Sequence, residues 1–176
     1  MLSLRLLTAL VFLPVFLFLL FWPVPFGFLG LLVLAMGVAA WEMHALFRHR
    51  RLRVSLALTL TGVLALCASA SLLPAPAVLP AALGVIVAVF LAALFTALAG
   101  ADVEQGMLGA MGVVFSVLLL GVLGMAIALL RRQAWGPWWI VLLFGFSWLF
   151  DAGAYFAGRA WGRRALAPRL SPSKTW

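Results

Sequence analysis

Charge is scarce in this chain: Asp, Glu, Lys and Arg make up 9% of its 176 residues, against about 25% in ordinary soluble domains. Water is therefore not its main solvent. Cysteine is almost absent, and the single Cys67 excludes a disulfide framework or a thiolate metal site. It reads as a small packing residue in an apolar segment. No stretch alternates apolar and polar residues over about ten positions, which argues against a membrane β-barrel. No repeat of 20–50 residues and no low-complexity segment breaks the chain, so it reads as one membrane domain. Residues 1–22 lack a convincing small-residue cleavage site, and they are expected to form a first span rather than a removable signal peptide.

What is present is apolar: 67% of the residues are hydrophobic. Charge-free runs extend over Leu6–Trp41, Val54–Ala101, Gln105–Leu130 and Gln133–Phe150. A helical crossing needs about 20 mostly apolar residues, so the longer runs hold more than one span. Pro23-Val24-Pro25 and Pro74-Ala75-Pro76 divide the first two, because proline removes a helix donor and biases its predecessor away from the helical region. The expectation is an all-α, polytopic transmembrane bundle of six spans, near Leu6–Trp22, Phe26–Phe47, Val54–Leu73, Val78–Leu98, Met107–Leu130 and Trp138–Phe156. Residues 1–158 would be the membrane domain and 159–176 a basic cytoplasmic segment. Gly106, Gly109, Gly112, Gly121 and Gly124 in the fifth span read as close-packing positions for a neighbouring helix.

Six spans put Arg5, Arg48, Arg50, Arg51, Arg53 and the tail's Arg159, Arg163, Arg164, Arg169 and Lys174 on one side. Only Arg131 and Arg132 fall on the other. The positive-inside rule then predicts cytoplasmic termini in a multi-pass protein of the cell inner membrane.

Intramembrane acids are expensive and mark sites or pathways. Two are candidates, and both are expected towards the cytoplasmic ends of their spans. Glu42 follows Trp41 late in the second span, where a bland role would be pairing with Arg48 or Arg50. Asp151 is the sharper case. Ser147, Asp151 and Tyr155 recur every four residues and Gly158 falls seven beyond Asp151, so they share a helical face. Such a carboxylate holds a divalent metal, accepts a neighbouring donor, or positions a basic side chain.

After Gly158 the chain turns basic and aromatic, with Arg159, Arg163 and Arg164 around Trp161. Arginine and tryptophan are ordinary boundary anchors, so this alone shows only membrane-surface affinity. The ending Ser171-Pro172-Ser173-Lys174-Thr175-Trp176 differs in kind. Its hydroxyls and ammonium suit phosphate oxygens, with proline stiffening a turn. It lacks the glycines of a Walker loop.

These residues carry a resemblance. The order Asp151-x-Gly153-Ala154-Tyr155-x-x-Gly158-Arg159-x-x-Gly162, followed by Leu166-x-Pro168-Arg169-Leu170-Ser171-Pro172-x-Lys174-Thr175-Trp176, resembles the central region of phosphatidate cytidylyltransferases, the CDP-diacylglycerol synthases. The opening Met1-Leu-x-x-Arg5 with Pro14, and Ala39-Ala40-Trp41-Glu42, are similar to that family's beginning. The layout agrees throughout, but only the tail motif is specific, and Ala152 stands where serine is usual. The family's C-terminal signature, with a Lys-Arg pair, further aspartates and a His-Gly-Gly-x-x-Asp-Arg element, is not in the sequence. The chain is thus expected to be the N-terminal and central part of such an enzyme and inactive by itself.

The resemblance implies transfer of CMP from CTP to phosphatidic acid, giving CDP-diacylglycerol and pyrophosphate. It implies catalytic roles for Asp151 and Lys174. Ser171, Thr175, Arg163, Arg164, Tyr155 and Glu42 would bind substrate. It also implies Mg2+, with Asp151 as a candidate ligand and the main ligands beyond residue 176. Partners would be CTP, phosphatidic acid and the lipid bilayer, with no nucleic acid, and a homodimer is compatible. The rival from another class is a small transporter or a noncatalytic membrane subunit, in which Asp151 and Glu42 line a cation path and the arginines are anchors. A transporter more naturally shows broken helices and midplane polar residues, and it has no reason to carry the tail motif.

Overall fold

The computed structural model describes residues 2–162, 165–167 and 171–175, with side chains at 11–24 and 26–162. Among these residues the chain forms six helices: α1 (Leu2–Phe21), α2 (Pro25–His49), α3 (Leu56–Leu72), α4 (Ala75–Leu98), α5 (Val103–Arg131) and α6 (Gly136–Trp161). Each expected span falls on one of them. By length and composition α2, α4, α5 and α6 suffice to cross a membrane, while α3 and the Val11–Phe21 part of α1 are shorter apolar helices. Large apolar side chains such as Leu79, Phe95, Leu149 and Phe150 lie exposed along them. Exposed apolar surface on that scale suits lipid rather than water. The protein is an all-α, multi-pass membrane bundle.

Caps and prolines explain the helix ends. Pro25 and Pro76 occupy first turns, where a missing N–H costs nothing, so α4 starts at Ala75 rather than at Val78 as expected. Ser55 caps α3 by accepting from the Leu58 N–H at 3.3 Å. Asp102 accepts from the Gln105 N–H at 3.0 Å and starts α5 at Val103, four residues earlier than expected. The Asp-x-x-Gln spacing is a capping signal legible in the sequence. α6 continues beyond Phe156 to Trp161 before Gly162 leaves the helical region at ψ 119°.

Two compact units divide the chain, Met1–Ala134 and Trp135–Trp176. In the first, α3 is the hub and packs against α2, α4 and α5. Its small residues permit this. A Cβ at Gly62 would strike Val117, and Gly121 and Gly124 of α5 would strike Leu66 and Cys67 in the same way. The core gathers Val54, Val63, Leu66, Ala82, Val89 and Val113. Cys67 is buried there, as a packing residue. Within α5 the Val117–Gly121 stretch is a π-helical turn, preceded by Ser116, whose buried hydroxyl donates to the Gly112 carbonyl at 2.7 Å. Hydroxyl back-bonding of this kind bends helices.

Arg131 and Arg132 close the face opposite the arginine-rich loop. Arg131 Nη2 donates to the Trp22 carbonyl at 2.6 Å, and its guanidinium lies 5.5 Å from the Phe28 ring centroid. Arg132 Nη1 donates to the Ala70 and Leu73 carbonyls at 2.6 and 2.7 Å. The last carbonyls of a helix have no intrahelical partner and carry partial negative charge. The pair that ran against the charge asymmetry thus ties the ends of α1 and α3.

The second unit holds α6 and a short antiparallel hairpin, β1 (Ala165–Ala167) with β2 (Ser171–Thr175), in which Ala165 faces Thr175 and Ala167 faces Ser171. β2 packs back on α6.

Candidate functional site

Ser147, Asp151 and Tyr155 lie on α6 at successive four-residue steps, all exposed. The phenol oxygen of Tyr155 accepts from Arg159 Nη1 at 3.2 Å, which extends the polar stripe by one further turn. Asp151 has no hydrogen bond or ion pair among the described residues. Because α6 runs to Trp161, Asp151 lies ten residues, about 15 Å, inside the helix end, near the middle of a 26-residue element. Gly158-Arg159-Ala160-Trp161 continues the helix past the expected span end at Phe156. Gly153, two residues on, has nothing within 4 Å of where a Cβ would be. A carboxylate with no partner among the described residues, exposed on an apolar helix, is costly against lipid, so this face calls for a polar neighbour or an aqueous cleft.

The Ser-Pro-x-Lys-Thr motif occupies β2, the returning strand of the tail hairpin. Pro172 is therefore in a strand and not in a turn; a two-stranded ribbon has free edges, where a missing N–H is tolerated. The hairpin backbone brings Ser171 and Thr175 onto one strand with Lys174 between them. Arg163 and Arg164 lie outside the described residues, as do the side chains of Ser171, Lys174 and Thr175.

Glu42 is exposed on α2, seven residues before the helix end at His49. The pairing with Arg48 or Arg50 that sequence allows is not formed. Nearby, Trp41, His44, Arg48 and His49 line a groove of about 300 Å3, and His44 Nδ1 is buried without a hydrogen-bond partner among the described residues. Glu42 belongs to the first unit and Asp151 to the second.

No three His, Cys, Asp or Glu side chains gather into a metal cage among the described residues. Magnesium is normally held by one or two carboxylates together with substrate phosphates rather than by an all-protein cage. A single carboxylate without a partner among the described residues, such as Asp151, fits that mode.

Sequence reading missed a second polar region. Arg53, Ser55, Thr96 and Asp102 border a cavity of about 290 Å3 where the end of α4 meets the starts of α3 and α5. The two capping residues were visible as sequence signals, but their convergence depends on how the helices pack.

A model of the cytidylyltransferase family matches residues 3–176. The chain belongs to this family. Among curated proteins, the phosphatidate cytidylyltransferase of Haemophilus influenzae is 49% identical over 41 residues, which is 23% of this chain and 14% of that protein. The phosphatidate cytidylyltransferase of Brucella suis is 47% identical over 57 residues, 32% of this chain and 21% of the relative. That of Pseudomonas aeruginosa is 51% identical over 37 residues, 21% of this chain and 14% of the relative. The matched stretches thus span far less than two-thirds of these relatives. No solved structure matches the chain. Family membership agrees with the resemblance carried by the Asp151–Gly162 and Ser171–Trp176 segments.

Proposed function

We propose that the protein is a phosphatidate cytidylyltransferase, transferring CMP from CTP to phosphatidic acid with release of pyrophosphate. The family match over residues 3–176 carries this reading. A phosphate oxygen of phosphatidate attacks the α-phosphorus of CTP. One P–O bond forms, the bond from the α-phosphorus to the bridging oxygen breaks, and its electron pair departs with pyrophosphate. No covalent enzyme intermediate is required. Two polyanions must approach, so cationic groups aimed at the phosphates lower the barrier.

In this reading Lys174, Ser171 and Thr175 bind phosphate oxygens, and Arg163 and Arg164 hold the phosphatidate headgroup or the triphosphate. Tyr155 and Glu42 bind substrate from α6 and α2. Tyr155 is held in place by Arg159. Asp151 would hold Mg2+, which when bound supplies positive charge between the two polyanions. The protein lies in the inner membrane with both termini in the cytoplasm, where CTP is available. Phosphatidate stays in the cytoplasmic leaflet, and a homodimer is compatible with this arrangement. Nothing in the relatives' names favours a transporter.

The test is a chimera in which residues 1–176 replace the corresponding part of the Pseudomonas aeruginosa relative. Assayed in detergent with Mg2+, CTP and phosphatidate, it is expected to form CDP-diacylglycerol. A folded chimera with no turnover, beside an active parent, would reject the assignment.

A further inference from the structure

The cavity between α3, α4 and α5 owes its existence to glycine. A Cβ at Gly106 would lie 2.6 Å from the Ala97 carbonyl oxygen, and one at Gly109 would land on the Arg53 carbonyl oxygen. With hydrogen in those places, α5 draws up to the α2–α3 link and the end of α4. A space of about 290 Å3 is left above the contact. That is near the lower limit of ligand clefts, about 300–1,000 Å3, and it suits a headgroup-sized ligand.

Its polar groups are sorted by sign. Arg53 and Ser55 supply donors. Arg53 has no ion pair or hydrogen bond among the described residues, and the Ser55 oxygen accepts from the Leu58 N–H, which leaves its own proton to give. Asp102 and Thr96 supply acceptors. One Asp102 oxygen is taken by the Gln105 N–H, which leaves the other, and the Thr96 hydroxyl donates to the Ala93 carbonyl at 2.9 Å with its lone pairs free. Arg53 and Asp102 border the same cavity yet do not pair with each other. Glu104 stands in the first turn of α5, so a purely anionic ligand would meet two nearby carboxylates. A ligand with an anion at one end and a hydrogen-bonding cation at the other satisfies both sides.

We propose that this cavity binds a phosphoethanolamine group, its phosphate on Arg53 and Ser55 and its ammonium on Asp102 and Thr96. The starts of α3 and α5 and the end of α4 are termini of apolar helices, which in a bilayer face the headgroup layer, and phosphatidylethanolamine presents this group there. Free phosphoethanolamine offers the same chemistry from solution. A choline headgroup carries the charge but cannot donate to Asp102, and a glycerol headgroup lacks the cation.

The experiment uses the purified chain in detergent, with native mass spectrometry and thermal unfolding after adding dioleoyl phosphatidylethanolamine, phosphatidylcholine or phosphatidylglycerol. Phosphatidylethanolamine is expected to be retained and to raise the unfolding temperature more than the other two. Arg53→Gln, at an exposed position, should weaken that binding by about tenfold, the loss of one charge-assisted contact. Asp102→Asn keeps a good helix cap and should erase the preference for ethanolamine over choline. Thr96→Trp, which fills the cavity from an exposed lining position, should abolish binding even if Arg53→Gln proves unstable. A parallel arm adds free phosphoethanolamine, and equal protection by it would assign the group to a soluble ligand rather than a lipid. Equal retention of all three lipids, or ethanolamine binding untouched by Arg53→Gln and Thr96→Trp, would overturn the proposal.

Discussion

Asp151 and Arg132 show how differently two charged residues are treated in one bundle. Asp151 sits about 15 Å inside α6 with no partner among the described residues, so its cost has to be offset by what it binds. Asp151→Asn keeps the shape and deletes the charge. In an active chimera it should lower turnover by about tenfold or more, equivalent to about 1.4 kcal/mol of transition-state stabilisation. Lys174, proposed to bind a phosphate oxygen, gives the parallel test: Lys174→Ala should lower turnover likewise. Turnover within twofold of the parent for both, at equal protein abundance, would refute the site. Arg132 is already satisfied by the Ala70 and Leu73 carbonyls. Arg132→Ala should cost stability, by about 1–3 kcal/mol for charge-assisted bonds, while leaving substrate affinity unchanged. Thermal unfolding of the purified chain reads the first, and an unchanged KM in the chimera reads the second. The shared helical face of Ser147, Asp151 and Tyr155 was legible from their four-residue spacing. The partners of Arg132 were not, because residues 62 and 59 positions apart meet only once the helices are packed.

At the scale of elements, the glycines of α5 and α6 separate packing from open space. Gly109 faces the Arg53 carbonyl, and Gly121 faces Leu66 and the backbone of Val63. Gly109→Val and Gly121→Leu should therefore yield little monodisperse protein on size exclusion, since backbone and buried core cannot move aside. Gly145→Ala and Gly153→Ala meet nothing within 4 Å. They should hold or raise the unfolding temperature, because alanine is favoured over glycine inside a helix by about 1 kcal/mol. A melt lowered by Gly145→Ala would show that another surface packs against α6 at that position. The sequence pattern placed the α5 glycines on a packing face. It did not reveal their partners, nor the π-turn of Val117–Gly121, which depends on how α5 fits around α3.

In the first unit, Arg48, Arg50, Arg51 and Arg53 stand at one end of the apolar helices, and Arg131 and Arg132 tie the other end. Single cysteines at positions 50 and 173, in a background where Cys67 is serine, should resist an impermeant thiol reagent in intact cells and react after permeabilisation. Labelling of either without permeabilisation would invert the proposed topology. Membrane insertion and the six helices were determined by sequence alone, because hydrocarbon demands long apolar segments whose backbone bonds are satisfied internally. Prolines, Ser55 and Asp102 then placed the breaks locally, within a few residues. Tertiary structure alone decided that the short α3 is the hub, that Arg131 and Arg132 tie helix ends, and that Arg53 and Asp102 share a cavity. Those outcomes depend on which faces meet, and in lipid that choice rests on small-residue packing and polar contacts between helices distant in sequence. A strong hydrophobic pattern marks each span, but it is nearly uniform around the helix and so does not say which neighbour each face receives.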